Sequence, residues 1–147
     1  MNTNEIDYAL HARCRGQFVG VFAADRLPRR LPTRRPLLLV CNTDRHDQEG
    51  KHWIVIYLAI NSRGEYFDSF GQSPPPAFAR YMNGLYTSWI RSSRQLQSAA
   101  SRFCGQYCIF YCLYRSLGYS FDAINSCFST DTGLNDVFVH AIVCRFI

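Results

Sequence analysis

"SRFCGQYCIFYCLYRSLG", residues Ser101–Gly118, carries cysteines at 104, 108 and 112 in a run that is apolar nearly all round. On a helix, positions four apart stack on one face, one turn after another. A helix with almost no polar face belongs inside a domain. The stretch therefore predicts a central buried helix from Cys104 to Leu117, stopped by Gly118. Ser101 is a candidate cap, placing Cys104 in the first turn. Cys108 and Cys112 then lie one and two turns deeper, where packing explains them.

The chain around this helix has 147 residues, 48% of them hydrophobic and 18% charged. That balance suits one domain over residues 1–147, with a substantial core, and excludes a disordered chain. The longest apolar candidate, Trp53–Ile60, is the length of a strand, so no membrane partner is expected. "MNTNEIDYAL" at the start has neither a basic opening nor an apolar core, so no secretory signal is expected. With an odd number of cysteines, seven, the simpler expectation is reduced thiols in an intracellular compartment. The C-x3-C-x3-C spacing lacks the paired ligands of a structural zinc site, so no metal is expected.

Outward from the helix, Asn2 to about Cys14 reads as a short helix opened by Asn2 and Glu5. "QFVGVF" and "PLLLVC" read as strands, with "HWIVIYLAI" from His52 as the strongest. "NSRG" turns the chain back into "EYFDSF". Ala77 to about Ser92 reads as an amphipathic helix bearing Phe78, Tyr81, Met82, Leu85 and Trp89. Phe121–Phe128 reads as a short helical or irregular piece, and a last helix closes the chain. The fold class is α+β: a small, mixed, mostly antiparallel sheet packed with helices around the buried one.

The net charge is +5, carried almost wholly by arginine. Arg26, Arg29, Arg30, Arg34 and Arg35 cluster in "DRLPRRLPTRRP". The plainer reading is a solvated loop held open by prolines. The functional alternative is attraction of a polyanion such as DNA.

Cys104 invites a chemical reading. Unpaired first-turn N–H groups and the helix dipole favour a thiolate there. Gly105 removes bulk beside it. A cysteine nucleophile needs a base, and the base needs an acceptor to orient it. His52 opens the strongest strand and Asp68 ends its hairpin partner, so the two can meet at one edge. Gln97 could offer its amide, with the backbone N–H of Cys104, as an oxyanion hole. Each has a plainer role available: a satisfied strand-end histidine, a turn cap and a loop glutamine. Of the other histidines only His46 is a spare base, with His11 and His140 in helices.

His52-Trp53, Asp68-Ser69-Phe70-Gly71 and Gln97-x6-Cys104-Gly105-x2-Cys108 together resemble adenain, the adenovirus-type maturation protease related to the SUMO-specific cysteine proteases. "GQFVGVFAADRLP" and "LLLVCNTDRHDQEGKHW" extend the likeness, which runs from Cys14 to about Leu117. It implies an adenain-like cysteine protease fold and peptide hydrolysis through an acyl-enzyme thioester. Cys104 would be the nucleophile, His52 the general base and acid, Asp68 its orienter and Gln97 the oxyanion donor. Trp53 would pack beside the imidazole. The substrates implied are viral or virus-like precursor proteins cut at glycine-containing sites, in a virion or host nucleus. No cofactor is strictly required.

The sequence departs from adenain in three ways. Its acid is aspartate, as in the SUMO-protease branch, where adenain has glutamate. The chain is shorter. It has no cysteine between Cys41 and Cys104, so adenain's disulfide-linked activating peptide finds no matching residue; stimulation by DNA is the other family trait. A peptidase or isopeptidase acting on ubiquitin-like tails is the alternative enzyme. A non-catalytic DNA- or capsid-associated protein on the same fold is the alternative outside enzymes.

Overall fold

The computed structural model describes residues 1–147. Its centre is a five-stranded sheet in the order β1 (Phe18–Phe22), β2 (Leu37–Asn42), β3 (Trp53–Leu58), β4 (Arg63–Phe67) and β5 (Ser88–Arg91). The β2–β3 and β3–β4 pairs are antiparallel, while β1–β2 and β4–β5 are parallel. The sheet is thus evenly mixed rather than mostly antiparallel.

Both central strands are buried from end to end. Their side chains alternate between two cores, as strand geometry requires. Leu38, Val40, Trp53, Val55 and Tyr57 face a large cluster of 24 buried residues. Leu37, Leu39, Cys41, Ile54, Ile56 and Leu58 face a cluster of 9 on the other side. A strand covered on both faces reads as a continuous apolar run, which is how "LLLVC" and "WIVIYL" look.

The large cluster belongs to α1 (Thr3–His11), α3 (Cys104–Ser116), α4 (Phe121–Ser126) and α5 (Thr132–Val143). Asn2 and Glu5 form a reciprocal capping box on α1. That helix ends sooner than its apolar spacing suggests, with Arg15 and Gly16 both at positive φ. Helix α3 fills the middle. All its residues from Tyr107 to Leu113 are buried, including Cys108 and Cys112. Burying each such aliphatic side chain contributes about 1.5–3 kcal/mol.

The smaller cluster lies under α2 (Pro76–Leu85) and the arginine loop. The expected helix to Ser92 stops at Leu85, because Tyr86 turns extended and residues 88–91 become β5. A parallel strand needs a crossover of a dozen or more residues, and the segment containing α2 supplies it. Trp89 lies over β4 at Gly64, where a Cβ would stand 2.2 Å from the indole. Amphipathic spacing alone could not show this, since Trp89 fits a helix face and a strand equally well.

A buried ion pair ties α3 to the sheet. Arg115 grips both oxygens of Glu65, at 2.9 and 2.7 Å. Tyr111 donates its hydroxyl to the same carboxylate and stacks on Phe67. The guanidinium carbon lies 4.0 Å from the centroid of the Tyr57 ring. No helix is long and apolar enough to cross a membrane.

Candidate active site

The sheet brings His52 and Asp68 together because one precedes β3 and the other follows β4, at the same edge of an antiparallel pair. Nε2 of His52 meets Oδ1 of Asp68 at 2.7 Å, with no intervening water needed. The shorter aspartate side chain therefore reaches the imidazole directly. Asp68 is 2% exposed. It is fixed from three further directions. Its Oδ1 accepts the N–H of Phe70 at 2.8 Å, its own N–H donates to Ser92 Oγ at 2.8 Å, and its carbonyl accepts from that hydroxyl at 2.9 Å. So Asp68 also caps the "DSFG" turn, and the plainer and the chemical roles coexist.

With Nε2 turned to the carboxylate, Nδ1 of His52 is left buried without a hydrogen-bond partner. Cys104 lies near enough to the imidazole for the two groups to shift each other's ionisation. Burial alone would depress the imidazole, but hydrogen bonding to Asp68 and Cys104 outweighs it and raises its pKa to about 9. Burial pushes the Cys104 thiol up. Hydrogen bonding to His52, the N–H groups of Trp53 and Gly105, and the charge of the imidazolium more than reverse that, leaving it below an ordinary thiol. Each group thus stabilises the charged form of the other, favouring a thiolate–imidazolium pair. The deeper thiols go the other way: burial raises Cys108 and Cys112 well above the usual range.

Cys104 is the first residue of α3, and the helix cap differs from the expected one. Phe103 occupies the cap position and offers no side-chain bond. Ser101 Oγ is buried without a partner. The first-turn N–H groups therefore stay free to face an anion at the sulfur or beside it.

Gln97 is fully buried. Its Oε1 accepts the hydroxyl of Ser69 at 2.7 Å and its Nε2 donates to the Ser101 carbonyl at 3.0 Å. An amide has two hydrogens, so one donor of Nε2 remains. Gln97, Cys104, Ser101, Trp53, Phe70 and Met1 line one cleft of about 420 Å³. A neighbouring cleft of about 390 Å³ shares Met1, Gly50 and Trp53 and leads on to Arg26, Arg45 and His46.

Phe70 packs on the imidazole, with ring centroids 5.0 Å apart. Trp53 is a wall of the cleft, 9% exposed. The space beside Gly105 is not open. A Cβ there would stand 2.9 Å from Met1 Sδ. Sequence reasoning passed over Ser69, Phe70 and Ser92. Two of them stand in the quoted "DSFG", but nothing in linear spacing ties Ser69 to a glutamine 28 residues on.

The remaining histidines lie elsewhere. His46 binds Asp25 through Nδ1 at 2.6 Å, at the surface. His140 stacks on Phe103 and lies 3.3 Å from Cys144 Sγ; His11 ends α1. The arginine loop divides in two. Arg35 bonds Tyr86 Oη and the Pro32 carbonyl, and Arg34 bonds the Gly16 carbonyl. Arg26, Arg29 and Arg30 are exposed.

No protein-family model matches the sequence. The chain is 31% identical over 86 residues to the "SUMO-1 cysteine protease" of African swine fever virus, covering 49% of this chain and 31% of that protein. It thus spans about a third of the length of the curated relatives it matches. The crystal structure of the African swine fever virus protease superposes with a TM-score of 0.66 at 20% identity, over 95% of this chain and 66% of that one. A Chlamydia trachomatis effector solved bound to ubiquitin gives a TM-score of 0.51 at 15% identity, over 96% of this chain and 75% of that one. The α+β architecture seen here, five mixed strands with five helices, is the fold of the African swine fever virus cysteine protease.

Proposed function

We propose that this chain is a cysteine endopeptidase in which Cys104 attacks a peptide carbonyl, His52 moves the proton, Asp68 orients His52 and Gln97 binds the oxyanion. The observation that carries the reading is the position of His52. One ring nitrogen is held by a buried carboxylate, the other is buried and unpartnered, and the ring and the Cys104 thiol each stabilise the other's charged form.

Starting from the thiolate–imidazolium pair, Sγ bonds to the carbonyl carbon and the carbonyl electron pair moves onto oxygen. That oxyanion accepts hydrogen bonds from Gln97 Nε2 and the Cys104 N–H. Collapse breaks the C–N bond, and the amine leaves with the proton from His52 Nδ1. The thioester is then attacked by water, which gives a proton to the neutral imidazole. The second collapse breaks the C–S bond, releases the acid and restores the ion pair. The reading uses the chain's own side chains, one backbone N–H and a water, and calls on no metal or cofactor.

Substrates in this reading are protein precursors cut at glycine-containing sites, as in adenain and its SUMO-protease relatives. Bulky Trp53 and Met1 line the same cleft as Cys104, which supports a preference for a residue without a side chain. A ubiquitin-like tail is the second reading, supported by a relative named for SUMO-1 and a fold neighbour solved with ubiquitin. Exposed Arg26, Arg29 and Arg30 leave room for a polyanion such as DNA, and origin in a virus or virus-like element fits the relatives named.

The test is a peptide-library digest by the wild type beside Cys104→Ala, run in parallel with coumarin conjugates of ubiquitin and SUMO-1. The wild type should cleave after glycine and Cys104→Ala should not, with identical circular dichroism. Cleavage by Cys104→Ala would remove the nucleophile assignment. Turnover of the conjugates without the library peptides would select the second reading.

A further inference from the structure

We propose that Ser69 is a positioning residue for the oxyanion site: its hydroxyl holds the Gln97 amide in the orientation that the Ser101 carbonyl selects. The inference rests on the proposed role of Gln97.

A glutamine amide has two faces of opposite character, an acceptor oxygen and a donor NH₂, and rotation by half a turn exchanges them. Only one orientation offers a donor to an oxyanion. In the other, a carbonyl oxygen would face developing negative charge and repel it. The side chain must therefore be held the right way round before substrate arrives, because a preorganised donor costs no rearrangement in the transition state.

Ser69 does the holding from two levels. Its hydroxyl donates to Gln97 Oε1 at 2.7 Å. Its carbonyl accepts the backbone N–H of Leu96 at 2.8 Å and of Gln97 at 3.0 Å. On the far side of the amide, Nε2 donates to the Ser101 carbonyl at 3.0 Å, which accepts only from a donor. A flip would set two oxygens against each other there. Ser69 is 1% exposed and Gln97 0%, so water cannot substitute for the hydroxyl. Ser69 touches neither Cys104 nor His52 in the bonding pattern, so its effect must pass through Gln97.

Threonine and valine have the same shape and differ by the hydroxyl, so Ser69→Thr and Ser69→Val form the decisive pair. Both carry the same added methyl group, which cancels any steric cost. With a Gly-Gly coumarin peptide as probe, Ser69→Val should lower kcat about tenfold or more relative to Ser69→Thr, with KM within about twofold. The pH profile and the rate of Cys104 alkylation should match in the two. In a Gln97→Ala background the two variants should turn over equally.

Equal kcat in the pair, or a full further loss in the Gln97→Ala background, would overturn the proposal. So would a parallel fall in Cys104 alkylation, which would mean general distortion. If the wild type hydrolyses nothing, the functional reading fails by itself. The positioning claim is then read from NMR: the Gln97 side-chain amide protons, identified by their loss in Gln97→Ala, should exchange slowly in Ser69→Thr and fast in Ser69→Val. Equal exchange would reject it.

Discussion

Asp68 and Ser69 are neighbours in the chain, yet they hold opposite halves of one site. Oδ1 of Asp68 meets the His52 ring at 2.7 Å, and Oγ of Ser69 meets the Gln97 amide at 2.7 Å. Where β4 ends, one residue faces the imidazole and the next faces the glutamine. A shift of this turn would disturb both, and Ser92 clasps the Asp68 backbone through both its N–H and its carbonyl. The spacing between the imidazole and the amide is thereby set by a single covalent link.

Cys104 should be the fastest of the seven cysteines to react with iodoacetamide at neutral pH, followed by mass spectrometry of the digest. Exposure alone predicts a different order. Cys127 and Cys144 are exposed, while Cys104 is 8% exposed. Only a depressed thiol pKa reverses that ranking. Fastest labelling of Cys127 or Cys144 would show that the imidazole does not activate the sulfur.

Asp68→Asn should lower kcat by about 100-fold or more, in the range of lost acid–base assistance. It should also move the alkaline limb of kcat/KM. In the native protein that limb should fall near pH 9, where His52 is expected to give up its proton. A raised folded-state pKa means that the stabilisation from the charged ring is complete below its unfolded value and fades as pH rises through about 9. Without the carboxylate, burial gains weight and the limb should shift to the acid side by about one pH unit or more. An unmoved limb would assign the ionisation to another group.

Arg115→Met should destabilise the fold by about 3 kcal/mol or more, measured by urea denaturation. The variant strips the Glu65 carboxyl, 5% exposed, of both guanidinium bonds. Removing one member of a buried pair costs more than the pair itself contributes. A change under about 0.5 kcal/mol would show that water reaches the carboxylate after all.

The buried helix, the two central strands and the meeting of His52 with Asp68 were legible in the sequence. Each rests on a local signal: all-round apolar character, β-branched runs and a hairpin whose two ends must lie side by side. The end of α2 and the existence of β5 were not, because Trp89 satisfies either pattern until Gly64 offers a bare backbone to pack on. The cap on α3 was misread for a related reason. Ser101 is a good capping type, but here its carbonyl is taken by Gln97 and Phe103 holds the cap position.

By itself, then, the sequence determined which side chains are available for chemistry and which segments must be buried, since side-chain polarity and its period are written along the chain. Orientation was decided only by the tertiary structure: which ring nitrogen meets the carboxylate, which end of the Gln97 amide meets Ser69, and that Phe70 covers the imidazole. Those are contacts between residues far apart in sequence, and their geometry is fixed by how strands, turns and helices pack together.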